Sequence, residues 1–349
     1  MAKTVRTSRE SPKSPKNRRP ILVLLDANIW VSEQMLTSAI GQAFLHALAE
    51  MRGKITLPEI VEMEVGRVLN DMAEESLAHL SRHARQLSTI YRRKIEVVTP
   101  EDFHALQGIQ ERWDELSTVL ARRELNNTQL RMALSRVLEH KLPSGANNEQ
   151  FRDSYIWEEF KTLARQGEVY LISADNAFYQ ERQKKNGLAN ALRTEIQESV
   201  HAEIYPDLEG FLGAKGYTTR IDYATTVGTQ LAEAVRIALA GEMTKTEVEA
   251  SELVFTSIRA YTTVGRSQVA LAFSGRAWVE PGPAVPHWRR HAFFVDGTAL
   301  YNVAREIVSE TRLRSFVWRY VRPYEPEELR ELELEAPPDR DRFDYRSLR

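Results

Sequence analysis

The chain has 349 residues, 42% apolar and 28% charged, with a net charge of −2 and no cysteine. That length and apolar content predict two domains and a sizeable core. The lack of cysteine excludes disulfides, thiolate metal sites and cysteine nucleophiles, and it fits a cytoplasmic location. No apolar run approaches the roughly 20 residues of a membrane span, and no apolar stretch precedes Pro20, so no secretory signal is expected.

Residues 1–19 hold Lys3, Arg6, Arg9, Lys13, Lys16, Arg18 and Arg19 against Glu10, a net +6, which leaves −8 on the rest of the chain. Rich in Ser and Pro, this stretch reads as a disordered basic tail, fit for touching phosphates or simply for solubility. "ILVLL", 21–25, reads as a buried strand ended by Asp26 and Asn28. Residues 36–51 have helical periodicity. "KITLP" is a short strand, and Pro58 opens the helix "EIVEMEVGRVLNDM" where proline is tolerated. From about 71 to 141 the pattern is almost entirely helical, with a break near "VVTPEDF" where Thr99 can cap the next helix. "LPSGANNEQ" is a loop and "FRDSYIWEEFKTLAR" a helix. "VYLIS", 169–173, is a second buried strand, followed at once by Ala174 and Asp175. A last helix is expected after Gly187, and "VHAEIYPDLEGFL" closes a unit spanning 20–212.

Strands alternating with helices predict an α/β fold, a parallel sheet flanked by helices with a long helical insertion. Ligands of such sheets bind beyond the carboxyl ends of the strands, where Asp26 and Asp175 both fall. After 213 the pattern changes to a helix at 229–240 and then four β segments, "ELVFTSIRAYTTV", "QVALAFSGRAWVE", "HAFFVDGTALYNV" and "LRSFVWRYV", with "VGRS" as a hairpin turn. Residues 213–325 therefore read as an α+β domain, and 326–349 as a charged tail.

Two further acids break helical patterns. With Ile60 at zero and 100° per residue, Val61, Val65 and Val68 span about 80–140°; Glu64 falls at about 40°, inside the apolar arc, and Glu62 at about 200°, opposite it. Around Asp153, the residues Ile156, Trp157, Phe160 and Ala164 all lie within about 60°, so Asp153 sits at the centre of an apolar stripe, whereas Glu158 and Glu159 fall off it. Each acid alone has a structural reading as turn residue, helix cap or ion-pair partner. Four carboxylates meeting in one pocket would repel one another severely without a cation, and such oxygen-rich sites suit Mg²⁺ or Mn²⁺.

With "LLDANIW", "LPEIVEMEV", "FRDSYIWEE" and "LISADNAFY" in that order, the chain resembles the PIN-domain nucleases over roughly residues 20–212. The length between the second and third motifs is similar to that of larger bacterial PIN proteins. The resemblance implies a compact α/β fold and four acids (Asp26, Glu64, Asp153 and Asp175) that hold one or two divalent metals for phosphodiester hydrolysis, with Asn28 and Ser173 as supporting polar groups. It also implies a product carrying a 5′-phosphate. The region after 213 matches no family.

A phosphate backbone needs cations near such a site. Candidates are "YRRK" (Arg92, Arg93 and Lys94), Arg122, Arg123, Arg131, Arg136 and Lys141 on the central helices. The later stretches "HWRRH" and "RLRSFVWRYVR" interleave Arg289, Arg290 and Arg319 with aromatics that could stack on unpaired bases. The leading reading is a metal-dependent nuclease acting on RNA in preference to DNA. A non-catalytic nucleic-acid-binding scaffold with a PIN fold and a metal-dependent phosphatase of small molecules are the alternatives. A homo-oligomer and a regulatory protein partner are left open, and no membrane association is expected.

Overall fold

A computed structural model of the chain describes residues 20–95, 105–145, 150–196, 201–219, 226–243, 249–264, 267–280 and 290–321. The basic tail, Thr99, Arg289 and the charged tail lie outside these residues.

The first part is a parallel five-stranded sheet. In chain order its strands are β1 (Ile21–Leu25), β2 (Lys54–Pro58), β3 (Leu120–Arg123), β4 (Glu168–Ile172) and β5 (Ala202–Tyr205), arranged in the sheet as β3-β2-β1-β4-β5. The chain winds one way from β1 to β3 and the other way through β4 and β5. The order therefore reverses between β1 and β4, which opens a crevice at their carboxyl ends. Val23, Leu24 and Leu25 are fully buried because helices cover both faces, hence the unbroken apolar run.

The helices follow from local signals. α1 (Ala27–Ser32) starts at Asp26, whose carboxylate caps Ala27, and α2 (Ala39–Met51) starts at Ser38, which caps Gly41. Pro58 leads into α3 (Glu59–Tyr91), and Glu59 and Glu62 in its first turn complement the helix dipole. α4 (Ala105–Glu115), α5 (Asn127–Leu138) and α6 (Phe151–Ala164) follow. Three short 3₁₀ turns precede Gly187, and the helix expected after it is only the four-residue α7 (Asn190–Arg193). α8 (Leu208–Ala214), capped by Asp207, ends this part.

Three expectations need correction. The 71–141 stretch is not helical throughout, because β3 lies within it and pairs with β2 at the sheet edge. "LARR" is short and charged, as edge strands commonly are, and so carries little strand signal. Arg122 and Arg123 therefore lie on β3, not on a helix; Arg122 pairs with Glu62 at 3.2 Å and Arg123 with Glu159 at 2.8 Å. Arg136 is buried, bound to Glu158 and Glu195, and is no surface cation. Glu158 and Glu159, off the apolar stripe of α6, are buried too, because α5 packs against α6. Lys161 and Arg136 reach Glu158; Arg123 and Gln129 reach Glu159.

The second part is an antiparallel sheet ordered β10-β9-β8-β7-β6, from β6 (Thr218–Thr219), β7 (Glu249–Thr262), β8 (Gln268–Glu280), β9 (Arg290–Asn302) and β10 (Ile307–Val321), with α9 (Thr226–Met243). Both faces of β8 are covered. Val269, Leu271 and Phe273 join the cluster of Val227, Leu231 and Val235 on α9, while Ala270 and Ala272 join the core around α2. The run "VALAF" is apolar throughout for that reason.

Removing one partner from a buried ion pair leaves an uncompensated charge. Arg136→Met is expected to lower stability by about 3–5 kcal/mol in urea unfolding. A surface phosphate contact at this residue would leave the midpoint unchanged.

Candidate functional site

The site begins with strand pairing. β1 and β4 run in register with Leu25 opposite Ile172, and Asp26 N–H continues the ladder to the Ile172 carbonyl at 3.0 Å. Asp26 and Ser173 therefore leave adjacent strands side by side. The Ser173 hydroxyl donates to Asp26 Oδ2 at 2.6 Å, the Asn28 amide donates to the same oxygen at 2.8 Å, and Ala27 N–H donates to Oδ1 at 2.7 Å. Asn28 Oδ1 accepts from Ala174 N–H at 3.3 Å, which ties the start of α1 to the end of β4.

Asp175 N–H donates to the Ser173 hydroxyl at 3.1 Å. One Asp175 oxygen caps Ala177 N–H at 2.7 Å, and the other accepts from the Gln150 amide at 3.4 Å. The Tyr179 hydroxyl donates to the Ser173 carbonyl at 2.7 Å, which holds the turn beneath the acids. Burial and the charges of Asp207, Asp26 and Asp175 push the Tyr179 hydroxyl upward, so it stays a donor.

Asp153 enters from the first turn of α6 and is buried. Burial, then the charges of Asp175 and Asp26, push its carboxyl up to about 8, and it shares a hydrogen bond with Asp175. Asp26 is raised as well, by burial first and opposed by the Ser173 and Ala27 hydrogen bonds, with the Asp175 charge adding to the rise. Like charges at close range favour keeping a proton.

Three of the four acids singled out in the sequence, Asp26, Asp153 and Asp175, are thus within electrostatic reach of one another. Glu64 is held differently, in an ion pair with Arg152. Arg152 also draws Asp26 and Asp153 downward, so its charge acts on two of the acids as well as on Glu64.

Sequence reasoning missed Arg152, Gln150 and Tyr179. A signal for Arg152 existed, since a cation in the first turn of a helix opposes the dipole and needs acids nearby. The Gln150 carbonyl oxygen and the Ser154 hydroxyl are buried beside the site without a hydrogen-bond partner among the described residues.

The donor set fits a hard divalent cation. Every available donor is an oxygen, and positive charge would relieve the repulsion that raises Asp26 and Asp153. Among the described residues, however, no three His, Cys, Asp or Glu side chains already stand arranged to hold a metal ion.

Of the cations proposed to contact nucleic acid, Arg92, Arg93 and Lys94 are exposed just past the end of α3. Arg290 and Arg319 lie on β9 and β10, with side chains outside the described residues. No described helix is long and apolar enough to cross a membrane.

Residues 23–178 match the PIN domain family, whose members are typically nucleases and generally use divalent metals. No curated protein matches the chain.

The raised carboxyl of Asp153 gives a pH test. In the metal-free protein, its protonation stabilises the fold fully below the unfolded carboxylate value, and that contribution is lost as pH rises through about 8. Asp153→Asn stays neutral, so its stability relative to wild type should climb between pH 5 and pH 9 by a few kcal/mol, or roughly 5 °C. Thermal unfolding in EDTA measures this. An offset independent of pH would contradict the placement of Asp153.

Proposed function

We propose, from the premise that residues 23–178 of this chain form a PIN domain with an added C-terminal region, that the protein is a metal-dependent nuclease hydrolysing phosphodiester bonds, with single-stranded or structured RNA as its preferred substrate. The observation that carries the reading is the convergence of Asp26, Asp153 and Asp175 at the crevice between β1 and β4, with Asp26 and Asp153 both raised by burial and by their neighbours.

Asp26, Asp153 and Asp175 would hold Mg²⁺ or Mn²⁺, with Glu64 joining them once released from Arg152. A bound cation of this kind supplies an acidified water near neutral pH and offsets charge on the phosphodiester oxygens. The chain's own residues set the stage. Ser173, Asn28 and Ala27 N–H lock the Asp26 carboxylate in one orientation. Gln150 and Ala177 N–H do the same for Asp175. Asp153, raised by burial and by the charges of Asp175 and Asp26, would give up its proton when positive charge arrives. Arg152, half exposed above the acids, can turn from Glu64 to a substrate phosphate. Exposed Arg92, Arg93 and Lys94 add to the attraction for a polyanion.

A non-catalytic scaffold has less support, because it has no use for two buried, raised acids. The absence of cysteine supports a cytoplasmic setting.

Labelled single-stranded RNA and DNA, incubated with Mn²⁺, Mg²⁺ or EDTA, test the reading. Cleavage should require metal, favour RNA, and fall roughly 1000-fold in Asp26→Asn and Asp153→Asn. Ser173→Ala, which loosens Asp26 without removing a carboxylate, should lose about 10–100-fold. Mn²⁺ should raise the melting temperature of the wild type and not that of Asp26→Asn. Cleavage that survives both carboxylate substitutions, or persists in EDTA, would remove the site assignment.

A further inference from the structure

Arg152 sits in the first turn of α6, where a positive charge opposes the helix dipole. Its side chain crosses to α3 and forms an ion pair with Glu64. The two partners are unequally placed. The Arg152 side chain is 53% exposed, whereas that of Glu64 is 18% exposed. The same guanidinium charge acts on Asp26 and on Asp153, its chain neighbour. One cation therefore serves acids brought in by three elements: the end of β1, α3 and α6.

A structural reading would make Arg152 a strut between α3 and α6. A pair with one half-exposed partner adds little to stability, because solvent screens it. Its effect on a bound cation is larger. A divalent cation among Asp26, Asp153 and Asp175 would meet like charge at Arg152. It would also find a Glu64 oxygen already taken by the guanidinium. Displacing Arg152 strands no buried charge, since its half-exposed head passes into water, whereas the released Glu64 gains a new cationic partner.

Resting on the cation-binding reading of this site, we infer that Arg152 is an internal counter-ion that competes with the divalent cation for Glu64, so that removing it tightens cation binding. It is a positioning residue, acting through the carboxylate it holds. The sign is the opposite of that expected for a residue that merely supports its neighbours, whose loss would loosen the site.

Mn²⁺ titration of the full chain by calorimetry, near neutral pH and at low salt, reads this without any cleavage assay. Arg152→Met keeps the stem and drops the charge. It should bind Mn²⁺ roughly five- to ten-fold more tightly than wild type. In the Glu64→Gln background the same substitution should gain no more than about two-fold, because only screened repulsion then remains. The rise in melting temperature at a fixed Mn²⁺ concentration, larger in Arg152→Met than in wild type, is the second readout. Arg152→Gln repeats the comparison where the Met variant folds poorly. Binding no tighter than wild type would overturn the inference. So would an equal gain in both backgrounds, which would reduce Arg152 to diffuse repulsion. Wild-type Mn²⁺ binding that is absent, or that Asp26→Asn leaves unchanged, would instead remove the cation-site reading itself and the inference with it.

Discussion

The pairing of β1 with β4 is the constraint on which the site depends. Leu25 stands opposite Ile172, and the hydrogen bond from Asp26 N–H to the Ile172 carbonyl carries that register one residue past the strand. Everything at Asp26 follows from it: the Ser173 hydroxyl in reach, Asn28 folded back on the first turn of α1, and Asp175 two residues beyond Ser173. A slip of one residue would turn the Asp26 side chain to the other face and break all three relations. The register is held by Val23, Leu24 and Leu25 on one strand and Val169 to Ile172 on the other, all buried, so the core and the site share one determinant.

Buried acids elsewhere in the chain show what distinguishes this cluster. Glu158 has Arg136 and Lys161, Glu159 has Arg123 and Gln129, and Glu209 has Arg314 and Arg259. Each is an acid whose charge is matched within the chain, the usual condition for burying it. Asp26, Asp153 and Asp175 instead face one another, and the half-exposed Arg152 guanidinium nearby is already engaged by Glu64. Pairing separates the acids matched within the chain from this cluster, and no helical wheel reports pairing.

The same distinction explains how much was legible in the sequence. β2 and β4 stand where alternation and apolar runs put them, because a strand buried on both faces leaves an unbroken signal. The Asp26 and Asp153 positions were legible for the opposite reason, as polar residues in apolar surroundings. β3 was not, since an edge strand of two apolar and two basic residues looks like a helix fragment. The burial of Glu158 and Glu159 was hidden because it depends on α5 covering the far side of α6, a tertiary fact. Arg152 was overlooked beside a more conspicuous neighbour, although a basic residue in a helix's first turn is itself an anomaly.

The second sheet bears on the site through α1. That helix is six residues long, about 9 Å. Asp26 caps one end, and Glu33 follows the other. Glu33 is buried, bonded to the Ser38 hydroxyl, and paired with Arg314 of β10 at 2.9 Å; Arg314 also binds Glu209, beside the cap of α8. Arg312 reaches Gln34 next to it. A buried ion pair of this kind adds little net stability over an apolar contact but admits only one geometry, and breaking it leaves Glu33 uncompensated. The far end of the helix that orients Asp26 is thus pinned by the added C-terminal sheet. Asp26, at the near end of that helix, is thus linked to both parts of the chain, whereas Asp153 rides on α6 and Asp175 follows β4 within the first part.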